Sequence, residues 1–354
     1  MDYKAALEKI RQGQVAPVYL IHGEETYLIR MLEQAILDSV LEPDTKDMNL
    51  TTFCGDPDLY EMINAIDMIP FMGGNNLIII RETALFCSGR KTSKAETDPN
   101  VTGIGTEKAD PSLENLIKTI SNMPSSSYAV FIAGAKPDKR RKIYKSVEKY
   151  GAIVEAAPLR GKDLRFWLTE RLRELNATMT PEAQAYLLDA VSMMPQVSLD
   201  FIDNELAKVI LYTQDMPSVN LVSLREILSA VPEISVFAML ESLSQRQIQS
   251  ALSLLGEQLN AGEHPIKLLG LLARQIRQLL QAKEMVNLGL SSRDIANSLK
   301  IPPFVGEKLM KQSKSFSINK LEHSLLQLAE ADRDLKSSRT GPMILEKIII
   351  ELCQ

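Results

Sequence analysis

The chain has 354 residues, 45% of them hydrophobic, enough for more than one buried core, and two or three domains are expected at this length. A net charge of -5 argues against a protein wrapped in nucleic acid, though it leaves room for a local basic face. Three scattered cysteines (Cys54, Cys87, Cys353) offer neither a disulfide framework nor a zinc site and suit a reducing, cytoplasmic setting. The first residues lack the apolar core of a signal peptide, and no apolar run reaches membrane-spanning length, so no membrane role is expected.

In chain order, 3–13 reads as a short amphipathic helix ending at Gly13. Val18-Tyr19-Leu20-Ile21, the turn His22-Gly23-Glu24-Glu25 and a helix over about 25–41 then give a strand, a tight turn and a helix. That is the layout of a phosphate-binding loop without its chemistry. The working form, G-x-x-x-x-G-K-[ST], uses glycines to bring backbone N–H groups to the phosphates, a Lys for charge and a hydroxyl for Mg²⁺. Here Gly23 is followed by no second Gly, Lys or Ser/Thr in register, and Glu24 and Glu25 stand where an anion would bind. Two carboxylates suit the helix dipole and repel a triphosphate. The spacing predicts a degenerate loop with no cofactor.

A turn and a possible second strand follow over 44–53, a helix over 57–66, and then Met68-Ile69-Pro70-Phe71-Met72-Gly73-Gly74 before the apolar strand Leu77-Ile78-Ile79-Ile80. Segment 68–72 has two readings, a buried helix end capped by glycines or an exposed apolar plug that Pro70 stiffens. Residues 90–111 are polar and aperiodic and read as an insertion. A helix over 113–120, a strand over 128–132, a basic helix over 136–150 and a short strand at Ile153-Val154 complete an alternating pattern, which predicts a parallel sheet covered on both faces.

The basic stretch holds Lys136, Lys139, Arg140, Arg141, Lys142, Lys145 and Lys149 against Asp138 and Glu148. It is a solvated helix face, or a contact for phosphates or an acidic partner through Lys139, Arg140, Arg141 and Lys145. After Ile132 the chain runs through Ala133-Gly134-Ala135-Lys136, without the paired acids an ATPase needs. His22, His264 and His323 share no motif, and no G-x-S-x-G, H-E-x-x-H or C-x-x-C occurs. No catalytic or metal-binding residue is assigned.

Beyond Pro158 the period is helical, over 163–175, 181–191, 198–212 and 221–229, with linkers expected at 158–162 and 231–234. In 265–287, Leu268, Leu269, Leu272, Ile276, Leu279 and Leu280 trace one apolar stripe. Residues 290–311 have the spacing of a helix-turn-helix, which would set Glu307, Lys308 and Lys311 in a DNA groove; ordinary helical packing gives the same pattern.

Taken together, Pro17-Val18-Tyr19-Leu20-Ile21-His22-Gly23-Glu24-Glu25, Pro70-Phe71-Met72-Gly73, Lys136-Pro137-Asp138-Lys139-Arg140 with Tyr144-Lys145, and Ala331-Asp332-Arg333-Asp334-Leu335-Lys336 resemble, in this order over the whole chain, the delta subunits of the bacterial DNA polymerase III clamp loader. The resemblance implies an α/β AAA+-like domain that does not hydrolyse ATP (1–158), a small helical lid (159–231) and a helical collar (232–354). It implies a noncatalytic subunit of the DNA-directed DNA polymerase holoenzyme, whose apolar element grips the beta sliding clamp and helps open the ring. The matching positions are Met68, Ile69, Pro70, Phe71 and Met72, which favours the plug reading. The implied partners are the clamp, gamma/tau- and delta prime-type loader subunits through the collar, and primed DNA within the complex. The insertion at 90–111 is longer than the family leads one to expect, and no role is assigned to it. The runner-up is a DNA-binding regulator using 290–311.

Overall fold

The sequence alternates helices with strands that are apolar along their whole length, and a strand of that kind must be covered on both faces. The computed structural model describes residues 1–87, 111–193, 198–213, 218–229, 231–301 and 303–353. They fall into two compact units, Met1–Pro158 with Ser198–Asp200, and Leu159–Val197 with Phe201–Gln354. The insertion expected at 90–111 lies almost wholly outside the described residues.

In the first unit the order is α1 (Tyr3–Arg11), β1 (Val18–His22), α2 (Thr26–Val40), α3 (Lys46–Asn49), β2 (Leu50–Cys54), α4 (Leu59–Asp67), β3 (Asn76–Arg81), α5 (Pro111–Ser121), β4 (Ser127–Ala133), α6 (Lys142–Tyr150) and β5 (Ala152–Glu155). The five strands are parallel and pair in the order β2-β3-β4-β1-β5. The central strands are the most apolar: β1 is buried at every residue, and β3 at all but its last. The edge strand β2 is only half covered. On one face Val18, Leu20, Ile78, Ile80, Ala129 and Phe131 meet Met62 and Ile66 of α4, Leu116 and Ile120 of α5, and Ile143 and Val147 of α6. Phe86 closes this core with its ring edge-to-face on Phe131 at 5.3 Å. Helix α2 packs against β3 and β4, and α1 against α2 and β5.

The second unit is helical: α7 (Gly161–Glu174), α8 (Pro181–Met193), α9 (Leu199–Tyr212, its first two residues counted with the first unit), α10 (Leu221–Ser229), α11 (Pro232–Ser244), α12 (Ile248–Asn260), α13 (Pro265–Asn287), α14 (Ser292–Leu299), α15 (Pro303–Ser313), α16 (Ile318–Lys336) and α17 (Met343–Cys353). The α13 stripe is the spine of its core. Leu268, Leu269, Leu272, Ile276 and Leu279 are buried there and Leu280 is partly so, against residues of α11, α12, α15, α16 and α17. The linker expected at 231–234 is instead the start of α11, where Pro232 takes the first helical turn. Pro232, Ile234, Val236, Phe237, Met239, Leu240 and Leu243 are all buried, so α11 is enclosed on most sides and shows little amphipathic period. Helix α7 likewise begins at Gly161, inside the other expected linker. No single helix among the described residues is long and apolar enough to cross a membrane.

Candidate functional site

Segment 68–72 leaves the C-terminal end of α4 with its apolar side chains in solvent. Ile69 is 87% exposed, Met72 83%, Met68 55% and Phe71 53%, while Pro70 is half-buried. The buried-end reading fails because the chain turns outward instead of folding under. Met72, Gly73 and Gly74 all have left-handed backbones, with φ of 57°, 84° and 80°. Glycine adopts this conformation freely, and Met72 does so at a cost of about 1–3 kcal/mol. A strained, solvent-exposed methionine beside three other exposed apolar residues is the feature the fold itself does not need.

The two ends of this tip are fastened by three asparagines. Asn76 is buried and donates from Nδ2 to the Ala65 carbonyl of α4 at 2.7 Å. Asn75 donates to the Val40 carbonyl at the end of α2 at 3.1 Å. Asn49, at the junction of α3 and β2, is 2% exposed. Its Oδ1 accepts the Phe71 backbone N–H at 2.6 Å, and its Nδ2 donates to the carbonyls of Phe71 and Gly73 at 3.2 and 3.4 Å. Sequence reasoning missed Asn49. It lies 22 residues before Phe71, and no local pattern announces so distant a partner.

The turn between β1 and α2 is closed around itself. Gly23 has φ of 142°, and a Cβ there would stand 2.2 Å from the Ala156 carbonyl oxygen. The Glu25 N–H donates to that oxygen at 3.0 Å and the Ala156 N–H to the His22 carbonyl at 2.7 Å, so the chain after β5 straps the turn. The two glutamates part company. Glu24 is exposed, whereas Glu25 is buried and caps α2, accepting the Tyr27 N–H at 3.3 Å through Oε1. Its Oε2 accepts the Leu199 N–H at 3.2 Å. Burial pushes the Glu25 carboxyl above its ordinary range, and the two N–H donors only partly oppose this. Burial likewise lowers the pKa of His22. The helix N-terminus that would receive a phosphate thus holds the protein's own carboxylate.

The basic helix expected from Lys136 begins only at Lys142. Residues 134–141 are a loop, because Pro137 interrupts the pattern and Asp138 folds back on its neighbours. The Asp138 Oδ1 accepts the Arg140 N–H at 3.0 Å, and the Arg140 guanidinium grips both carboxylate oxygens at 3.0 Å. That hydrogen bonding holds the Asp138 carboxyl at about 2. Arg141 donates to the Cys87 carbonyl, and Lys142 pairs with Glu114 at 3.3 Å. Of the four predicted contact residues, Lys139, Arg140 and Arg141 are therefore on the loop and Lys145 on α6, and Arg140 and Arg141 are already engaged within the fold. Lys139 and Lys145 are exposed.

Residues 290–311 form two helices, α14 and α15, with Gly306 brought so close that a Cβ there would lie 2.7 Å from the Ser292 carbonyl oxygen. The groove-reading arrangement finds no support. Lys308 lies over the ring of Phe237 in α11, 5.6 Å from its centroid, and Lys311 pairs with Glu307 at 2.9 Å. Lys308 thus packs α15 on α11, and the Lys311–Glu307 pair is an exposed i,i+4 pair along α15. Among the described residues no cluster of His, Cys, Asp or Glu could hold a metal ion.

The first unit, then, is a five-stranded parallel α/β sheet, followed in the chain by an all-α region. Family comparison identifies the kind of protein that combines them. Residues 19–157 match the model of the DNA polymerase III delta subunit, and 233–352 that of its C-terminal domain. The chain belongs to the family of DNA polymerase III delta subunits, components of the clamp loader in DNA replication. It is 27% identical over 347 residues to DNA polymerase III subunit delta of Bacillus subtilis, covering 98% of this chain and 95% of that one. It is 24% identical over 326 residues to a probable DNA polymerase III subunit delta of Aquifex aeolicus, covering 89% and 85%. Among solved structures, the Bacillus subtilis DNA clamp loader delta protein superposes with a TM-score of 0.65 at 25% identity, over 99% of both chains.

Proposed function

We propose that this chain is a noncatalytic clamp-loader subunit that binds the beta sliding clamp through Met68, Ile69, Pro70, Phe71 and Met72 and helps open the ring for loading onto primed DNA. The observation that carries this is the exposed apolar tip, strained at Met72 and fastened at both ends. Exposed apolar side chains of this size each gain about 1.5–3 kcal/mol on burial. Association and ordering costs take back part of that, and a tip already held in shape keeps them small. The action is mechanical: a protein that binds the open curvature of a ring better than the closed one shifts the equilibrium by that difference in affinity. No ATP turnover by this chain is needed, in keeping with a phosphate position filled by Glu25. On this reading ATP acts on gamma/tau- and delta prime-type subunits, which join the chain through a collar at 232–354, with 159–231 as a small lid. Work at the replisome places the protein in the cytoplasm. Lys139 and Lys145 are the basic residues best presented for a secondary phosphate contact.

The experiment is capture of a purified sliding clamp by the purified chain, with Phe71→Ala alongside. The variant should lose about 2 kcal/mol or more of binding free energy, as a central anchor does, with an unchanged circular dichroism spectrum. No capture by the wild-type chain sinks the proposal.

A further inference from the structure

We infer that Asn49 is a positioning residue for the clamp contact: its side-chain amide holds the backbone of Phe71 and thereby sets the tip in its binding shape before the partner arrives. This deepens the proposed function and rests on it. Asn49 is nearly sealed from solvent, and each hydrogen-bonding function of its amide is spent on the tip. It takes the Phe71 N–H and gives to the Phe71 carbonyl, which closes a two-bond ring of the kind neighbouring strands form. Its second N–H reaches the Gly73 carbonyl. These contacts straddle Met72, the strained residue. Without them the Phe71 N–H and carbonyl would turn to water, the left-handed backbone at Met72 would lose its support, and the tip would sample many shapes. Preorganisation lowers the ordering cost of association without adding a contact. Asn49 therefore acts on clamp affinity through Phe71 while touching no partner itself. Asparagine is the side chain that can both accept and donate here at this length. Aspartate would keep the acceptor for the Phe71 N–H and set a charge against two carbonyl oxygens.

The test compares wild type, Phe71→Ala, Asn49→Ala and Asn49→Asp. It reads the affinity for purified beta sliding clamp by surface plasmon resonance, and hydrogen exchange at the Phe71 amide against the amides of Ile78, Ile79 and Ile80. Both Asn49 variants are expected to bind about tenfold more weakly. Asn49→Ala should also expose the Phe71 amide to fast exchange while the β3 amides stay protected. A purely structural role would move the β3 amides too. If Phe71→Ala loses binding while both folded Asn49 variants stay within about twofold of wild type, the inference is overturned and the clamp reading stands. If Phe71→Ala binds as wild type does, the clamp reading itself falls, and this inference with it. Should Asn49→Ala not fold, Asn49→Asp decides. Failure of both to fold also overturns the inference, because Asn49 would then be a determinant of the core.

Discussion

At the scale of single residues, Glu25 has two roles that pull in opposite directions. Its carboxylate satisfies the start of α2, yet it does so in a place where ionisation is unfavourable. Because its folded-state pKa is raised, the folded protein holds the proton more tightly than the unfolded chain. The stabilising contribution is full below the unfolded carboxyl pKa, near 4.5, and is lost as pH rises through the higher folded value. At neutral pH the buried charge therefore lowers stability. Glu25→Gln removes that charge but keeps a single acceptor oxygen, for either the Tyr27 or the Leu199 N–H, and sets its amide nitrogen against the other. The melting temperature of the variant relative to wild type should therefore be most favourable at pH 7. That relative standing should worsen as pH falls and the wild-type carboxyl takes up its proton. Thermal melts of both proteins from pH 4 to 8 check the trend; an equal difference at every pH would mean that hydrogen bonding or packing, not charge, is responsible.

At the scale of elements, close approach and open space at two helical glycines give opposite predictions. Gly306 lets α15 lie on α14, and a Cβ would also meet the Ala296 side chain at 2.9 Å. Gly306→Ala should push the pair apart and cost about 1–3 kcal/mol in urea unfolding. Gly270, on an exposed position of α13, has nothing within 4 Å of a built Cβ. Gly270→Ala should stabilise by about 0.4–1 kcal/mol, through helix propensity and the unfolded chain. The contrast shows which elements a sequence announces. The α13 stripe and the three buried strands β1, β3 and β4 were legible because period and apolar run length are local properties. The tip was legible only as an ambiguity: Met68-Ile69-Pro70-Phe71-Met72 has the same composition whether it caps a helix inside the core or projects into water. The outcome depends on Asn49, Asn75 and Asn76, whose partners are up to 35 residues away. Loop 134–141 was missed because its charge run suggested a solvated helix, while Pro137 and the folding-back of Asp138 decided otherwise. The linker expected at 231–234 failed for a related reason: Pro232 signals a helix start as readily as a break.

At the scale of the whole molecule, the described residues build a sheet core in the first unit and a helical core in the second. Under the proposed function these cores answer different demands. The sheet unit must hold the tip in shape, and the helical unit must supply a surface for assembly with other subunits. Leu279 is fully buried on the α13 spine. Leu279→Ala removes apolar contact and leaves a cavity, so the helical core should lose about 2–5 kcal/mol. Native-state hydrogen exchange should show faster opening along α13 and α16. The amides of Ile78 to Ile80, and the Phe71 amide held by Asn49, should keep their wild-type protection. Below the variant's melting temperature, clamp capture by the isolated chain should then stay within about twofold of wild type, since the tip draws its shape from the other core. A parallel loss of protection in β3 would instead mean that the two cores open together, and the tip would then depend on the helical region for its shape.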